Sequence, residues 1–386
     1  MSRSSLFILL ATVILGTGIL LFFDDNVTSS PVAIIPIAQV SSAETAVATT
    51  TIATSTSATA TSTPKVARAK KPLSKAIIPT AVATTSQNEA VRIENPYPYP
   101  AETFDQVNTD ARSALVNILC EPRGASSLRP ISGSGVIIDP RGVILTNAHV
   151  AQYVLLSESP QVNLACYIRT GSPATAQWVA VVMYIPPVWV NTHAGEILNP
   201  RPTGTGEHDY ALLYIESTVS GDRLPASFPY LPIDTRDAIG FPGDQVLVAS
   251  YPAELLGGIA AQYDLYSDTS ITTIKQLLTF GTGSVDLLSL GGIIEAQSGS
   301  SGGSVVNAWG KLIALIATTS DGATTADRDL RAVTLSYINS DIATQSGSSL
   351  SALLSGDPES EVQQFTTSQA ASLLQEYVTP LSTQGQ

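Results

Sequence analysis

The pattern of apolar and polar positions divides the chain into four stretches. Residues 6–23, LFILLATVILGTGILLFF, are an uncharged apolar run of 18, about the shortest length that spans a bilayer as a helix. Residues 24–102 show no helical or strand periodicity. Ala, Thr, Ser and Val dominate there, as in TTTIATSTSATATSTP, and such a tract exposes too little large apolar surface to offset the entropy of ordering it. From residue 103 short β-rich runs recur between Gly, Pro, Asn and Asp: Leu115–Cys120, Gly135–Ile138, Val143–Thr146, Trp178–Tyr184 and Tyr210–Ile215. They resume at Gln245–Ser250, Gly283–Leu288, Leu312–Ala317 and Arg331–Ser336. Beyond Ser346 the chain turns polar, with weak helical spacing through Val362, Phe365, Leu373, Leu374 and Tyr377.

Strands at this spacing without helical patterns between them predict an all-β barrel or sandwich. A body covering 103–345 is long enough for two barrels, the first about 103–235 and the second about 236–345, dividing near Thr235–Pro242. Residues 24–102 read as a disordered stalk closed by Tyr97-Pro98-Tyr99-Pro100, and 346–386 as a polar tail, helical or frayed.

The apolar run is read as a signal anchor and transmembrane helix. Phe22-Phe23-Asp24-Asp25 is a poor cleavage context, with processing near Ser41–Ala43 as the alternative. Arg3 before the run and the aspartates after it place a short tip, residues 1–5, in the cytoplasm and the remainder outside. Charge sharpens this division. Residues 1–75 carry a net +3, so residues 76–386 carry −16 of the total −13. A body that acidic repels phosphate backbones, which argues against nucleic acid as a partner. Cys120 and Cys166 are the only cysteines. In an oxidising compartment they can form one disulfide, and two buried thiols is the other reading. No metal site and no cofactor are expected, since cysteines and histidines are few and no Gly-rich loop opens a helix.

Three segments carry candidate chemistry. In GSGVIIDPRGVILTNAHV, residues 133–150, two strand-like runs flank a Pro140-Arg141-Gly142 turn, and His149 follows where the second strand ends. A histidine in that position can accept and return a proton near neutral pH. In EHDYALLYIE, residues 207–216, Asp209 precedes an apolar strand, where a carboxylate can orient an imidazole and stabilise its cation. His208 is one place out of phase and is expected on the opposite face. In Gln297-Ser298-Gly299-Ser300-Ser301-Gly302-Gly303 the glycines permit a tight turn. Ser301 then stands as nucleophile, with the N–H groups of Gly299 and Ser301 converging as an oxyanion hole. Taken singly, each segment has a commoner structural explanation. Their order, His then Asp then Ser across two barrel halves, is that of the chymotrypsin-type arrangement.

Here the chain resembles trypsin-like serine proteases, and most closely the HtrA/Deg branch, over roughly 103–345. GSGVIID with GVILTNAHV, Asp-Tyr-Ala-Leu-Leu, and Gly-Ser-Ser-Gly-Gly followed by Ser-Val-Val-Asn carry the resemblance. It implies two six-stranded antiparallel β-barrels, a serine endopeptidase with polypeptide substrates, and His149, Asp209 and Ser301 as the triad. The sequence departs from the branch in three ways. No PDZ domain is expected after the protease region, Ser304 replaces the usual proline, and a long segment from Val188 to Glu207 precedes Asp209. Ser300 stands where digestive proteases carry an aspartate that pairs with a new N-terminus. The resemblance puts Glu295 at the base of the primary pocket, which would favour a basic P1 residue. The branch itself prefers small or apolar P1 residues, with Ala332 and Val333 of Leu330–Leu335 as a wall. The expected function is a tethered endopeptidase acting outside the cytoplasm in quality control or surface-protein processing. The alternative is an inactive, protease-like peptide-binding module at the cell surface.

Overall fold

The computed structural model describes residues 95–383, apart from 125–126, 200–203, 238, 255–260, 282 and 321. The predicted cytoplasmic tip, membrane span and nearly all of the predicted stalk lie outside the described residues. Among the described residues, no helix is long and apolar enough to cross a membrane.

A helix, α1 (Phe104–Ala114), begins at Thr103, whose hydroxyl accepts from Gln106 N, a side-chain cap on one of the first-turn N–H groups. It leads into β1 (Leu115–Pro122), β2 (Ile131–Asp139), β3 (Val143–Thr146), β4 (Leu164–Thr170), β5 (Thr175–Tyr184) and β6 (Ala211–Thr218). These strands close into an antiparallel barrel in the order β1-β2-β3-β6-β5-β4. Period-two alternation decides what each face meets. Val116, Ile118, Ile137, Ile144, Leu213 and Ile215 belong to one core cluster. Leu115, Val136, Val143, Leu145 and Leu212 belong to another, shared with strands of the second half. The predicted hairpin is present: Val136 pairs with Leu145, and Gly142 closes the turn with φ +94° and an N–H bond to Asp139 O.

The second half contains β7 (Gln245–Ser250), β8 (Asp268–Thr273), β9 (Gln276–Leu278), β10 (Leu287–Gly291), β11 (Ser304–Asn307), β12 (Leu312–Thr319) and β13 (Leu330–Thr334). They form a seven-stranded sheet, β8-β7-β11-β12-β13-β10-β9, instead of the expected closed six-stranded barrel. The difference has a local cause. β8 and β9 are consecutive segments separated by Ile274 and Lys275, and one pairs with β7 while the other pairs with β10. Counted as one bent strand, they give this sheet the same neighbour order as the first barrel.

The all-β expectation covers the sheets but misses helices. After β3 the chain enters α2 (Ala148–Ser157), and after β5 a short α3 (Pro187–His193). After β13 come α4 (Leu335–Ser346), α5 (Leu350–Ser355), α6 (Pro358–Phe365), a π-helical turn (Thr366–Ala370) and α7 (Ala371–Thr383). Of the two readings of the tail, helical or frayed, the helical one holds, and part of the tail lies in the core. Phe365, Ala370, Leu373 and Tyr377 join Trp189, Val190, Ala194 and Ile197 in the first barrel's cluster. Arg141 at the hairpin turn fastens the start of this region, donating to Gly356 O at 2.7 Å and to Leu354 O.

The predicted stalk also ends earlier than residue 102. Tyr97 OH donates to Asp234 Oδ2 at 2.6 Å and accepts from Asn307 Nδ2, while its ring lies 5.3 Å from that of Trp309. Aromatic surface and hydrogen bonding thus fix the Tyr-Pro-Tyr-Pro segment on the body.

Cys120 and Cys166 are joined as a disulfide. They are direct cross-strand partners of β1 and β4.

Two stability outcomes follow from this packing. Phe365→Ala removes a ring that is 3 % exposed and is expected to cost about 3–5 kcal/mol in urea unfolding. Replacing both cysteines by serine is expected to lower unfolding stability by about 2–4 kcal/mol under non-reducing conditions. Under strong reductant wild type and variant should converge.

Candidate active site

His149 lies in the first turn of α2, directly after β3, and not at a free strand end. The first N–H groups of a helix have no intrahelical acceptor, and the helix dipole favours an anion beside them. Asp209 occupies that place. Its Oδ1 accepts the backbone N–H of His149 at 3.0 Å, and its Oδ2 accepts from the ring Nδ1 at 2.7 Å. Asn147, the N-cap residue, makes no side-chain cap and instead donates from Nδ2 to Asp209 O at 2.8 Å. The aspartate thereby sets both the position and the tautomer of the imidazole. With Nδ1–H given to the carboxylate, Nε2 is left to exchange a proton.

Burial opposes a charged His149 ring, but the Asp209 charge and its hydrogen bond outweigh that cost, and the pKa is raised above 6.5. Protonated His149 therefore stabilises the fold below pH 6.5, and that contribution is lost as pH rises through the folded-state pKa.

The turn carrying Asp209 is held from the opposite side. His208 sits in the left-handed region, φ +57°, and its ring turns away to Asp341 of α4. Asp341 Oδ2 accepts from His208 Nδ1 at 2.8 Å, from Tyr210 OH at 2.7 Å and from Gln345 Nε2 at 2.8 Å. Both neighbours of Asp209 in sequence are thus tied to one buried carboxylate.

Ser301 lies on the turn between β10 and β11, half exposed, with Gly302 and Gly303 buried behind it. Ser300 N bonds Gln297 O, and Gly299 takes φ +96° between them. Ala253 N holds the Ser298 carbonyl at 2.8 Å, so the Gly299 N–H at the other end of that planar peptide points away from it. The N–H groups of Gly299 and Ser301 make no bond to another group among the described residues. At Gly302, φ +86°, a Cβ would collide with Ser134 O and Thr146 Oγ1; only glycine fits this close approach.

That approach reveals a residue the sequence reading passed over. Ser134 of β2 is wholly buried. Its N–H donates to Ser301 O at 2.7 Å, and its hydroxyl donates to Gly299 O at 2.8 Å and accepts from Tyr251 N at 2.9 Å. Its own carbonyl accepts from Thr146 Oγ1 at 2.7 Å, three residues before His149. A strand of the first barrel therefore grips both ends of the Gly299–Ser301 segment. The only local signal was a serine between two glycines at a strand start. Behind the turn, Ser250 Oγ donates to Ser300 Oγ at 2.9 Å, and both residues are buried. A hydroxyl pair fills the position where the resemblance would place an aspartate.

The residues expected around the primary pocket lie deeper. Glu295 is wholly buried, and burial pushes its pKa up to about 7, with the neighbouring Ser270 hydroxyl pulling the other way. Ala332 is enclosed in the second sheet's inner cluster and Val333 in the cluster between the halves, both fully buried.

The barrel and the sheet share one neighbour order, with the Asp209–His149 pair on the first half and the glycine-framed serine turn on the second. Residues 133–315 match the family described as the trypsin-like peptidase domain. Among solved structures, the chain is similar to the serine endoprotease from Yersinia pestis, with 20% identity and a TM-score of 0.38. The match covers 64% of this chain and 65% of that one, so the chain spans less than two thirds of that protein's length. No curated protein sequence matches the chain.

In an NMR titration the His149 imidazole is expected to show a midpoint above 6.5, moving to lower pH in Asp209→Asn as the raising charge is lost while burial remains. A wild-type midpoint at or below 6.5 would contradict the electrostatic balance described.

Proposed function

We propose that the protein is a serine endopeptidase whose catalytic groups are His149, Asp209 and Ser301. The observation that carries this reading is the pair of hydrogen bonds by which Asp209 fixes His149, together with the Ser134 bonds by which β2 holds the Ser301 turn. In the reaction, His149 Nε2 takes the proton of Ser301 Oγ as that oxygen attacks the scissile carbonyl. The charge developing on the carbonyl oxygen is met by the N–H groups of Gly299 and Ser301. Protonated His149, stabilised by Asp209, then gives its proton to the leaving amine. An acyl group remains on Ser301, and the same base activates water to release it.

The substrates proposed are polypeptides with small or apolar P1 residues. An ionised Glu295 would have to reach solvent-facing substrate to select a basic one, and full burial of that side chain favours the apolar reading. The protein is proposed to act outside the cytoplasm, held to the membrane by residues 6–23, in quality control or processing of surface proteins. The Cys120–Cys166 disulfide supports an oxidising location, and the −16 charge of residues 76–386 suits a soluble body away from nucleic acid.

A fluorophosphonate probe is expected to label the wild-type chain at Ser301 with one adduct per chain, read by mass spectrometry of the digested protein. Ser301→Ala should abolish the label while leaving the circular dichroism spectrum unchanged. A folded wild-type protein that binds peptides but takes up no probe would favour the inactive binding-module reading instead.

A further inference from the structure

The oxyanion turn is braced from outside by an ion pair that neither the catalytic groups nor the barrel strands require. Glu254 follows β7, and Arg328 precedes β13. Arg328 bonds the Glu254 carboxylate with both terminal nitrogens, Nη1 to Oε2 at 2.8 Å and Nη2 to Oε1 at 3.0 Å. Each partner also takes hold of the segment leading to Gly299. Glu254 Oε2 accepts the backbone N–H of Ser298 at 3.1 Å, and Arg328 Nη1 donates to Ala296 O at 2.8 Å. With Ala253 N on the Ser298 carbonyl, three bonds from these two loops fix residues 296–298.

This matters because the peptide between Ser298 and Gly299 has two orientations of opposite consequence. In the one observed, the carbonyl faces Ala253 and the Gly299 N–H faces the other way. A half-turn of that peptide would replace a donor with an acceptor. Behind the turn, among the described residues, Ser250 and Ser300 form an uncharged hydroxyl pair, and charged groups hold the segment from the Glu254 side. A bidentate arginine–carboxylate pair has the fixed geometry needed to hold a backbone in register.

We infer that Glu254 and Arg328 are positioning residues that clamp residues 296–298 and so keep the Gly299 N–H turned toward the carbonyl oxygen of a bound substrate. The catalytic consequence rests on the proposed peptidase reading; the clamp itself does not. The pair acts through the backbone of Ser298 and Ala296, and neither side chain enters the chemistry. Arg328 also holds the Glu254 carboxyl below its ordinary range, which keeps the clamp charged at neutral pH.

The test uses the full chain and the variants Glu254→Ala, Arg328→Ala and the exchange Glu254→Arg with Arg328→Glu. Complete loss of an oxyanion donor costs about 10²–10³ in kcat, and a donor that is present but less well held is expected to lose about tenfold. Both single variants should therefore lower kcat and the rate of fluorophosphonate labelling about tenfold, with KM within about twofold and circular dichroism unchanged. The exchange variant restores the attraction but neither backbone bond, because arginine cannot accept from Ser298 N–H and glutamate cannot donate to Ala296 O. It should stay as slow as the single variants. Hydrogen exchange at the Ser298 amide should accelerate in all three. Unchanged rates in the single variants, or full recovery in the exchange, would overturn the clamp. If the wild type takes no probe, the peptidase reading falls. Amide exchange then decides the clamp alone, and unaltered Ser298 protection would overturn it.

Discussion

The candidate catalytic groups come from both halves of the molecule, so their geometry depends on how those halves are held together, and Ser134 is where that is decided. It lies on β2, next to the hairpin that leads to His149, yet three of its bonds go to the second half: Ser301 O, Gly299 O and Tyr251 N. Thr146 closes the arrangement from β3. Because Ser134 is wholly buried, each of these bonds forms where an unmade one would cost about 1–3 kcal/mol. The apolar cluster shared by both halves, including Leu115, Val136, Leu212, Leu247, Leu315 and Val333, supplies the adhesion. Ser134 supplies the register. Arg169 adds a second polar tie, bonding Asn117 within the first barrel and the carbonyls of Ala261 and Gln262 beyond it.

On the first-barrel side the same logic applies to His149 and Asp209. A helix beginning immediately after a strand presents unsatisfied N–H groups, and the carboxylate that satisfies one of them also receives the imidazole. Asp209 is in turn fixed by Asn147 through its carbonyl and by the His208 and Tyr210 attachments to Asp341. The residues following β13 are therefore part of the site's support. α4 carries Asp341, and the later helices cover Trp189 and Ile197 in the segment before Asp209.

Much of this was legible because its cause is local. The Pro140-Arg141-Gly142 hairpin announces itself in three residues, between two short apolar runs. The pairing of His149 with Asp209 was inferable from motif order. What escaped has a non-local cause. AHVAQYVLLS reads as apolar on most faces, because α2 is buried among barrel strands, so no amphipathic stripe marks it as a helix. Glu359–Val378 shows only weak helical spacing, and that its Phe365, Ala370, Leu373 and Tyr377 join the first barrel's core depends on residues far along the chain. The bend at Ile274-Lys275 divides one strand into two without glycine or proline to signal it. Ser134, Glu254 and Arg328 act on residues far along the chain, and nothing in their immediate neighbours foretells it. Cys120 and Cys166 could be paired only once β1 and β4 were seen side by side.

The central claim is that this arrangement makes Ser301 an acylating nucleophile. Its most direct measurement is the pre-steady-state reaction of the full chain with a p-nitrophenyl ester, followed by the mass of the acylated peptide. The account predicts a burst of one nitrophenol per chain, with the acyl group on the peptide containing Ser301. No burst from folded protein, or an acyl group carried by any other residue, would contradict it.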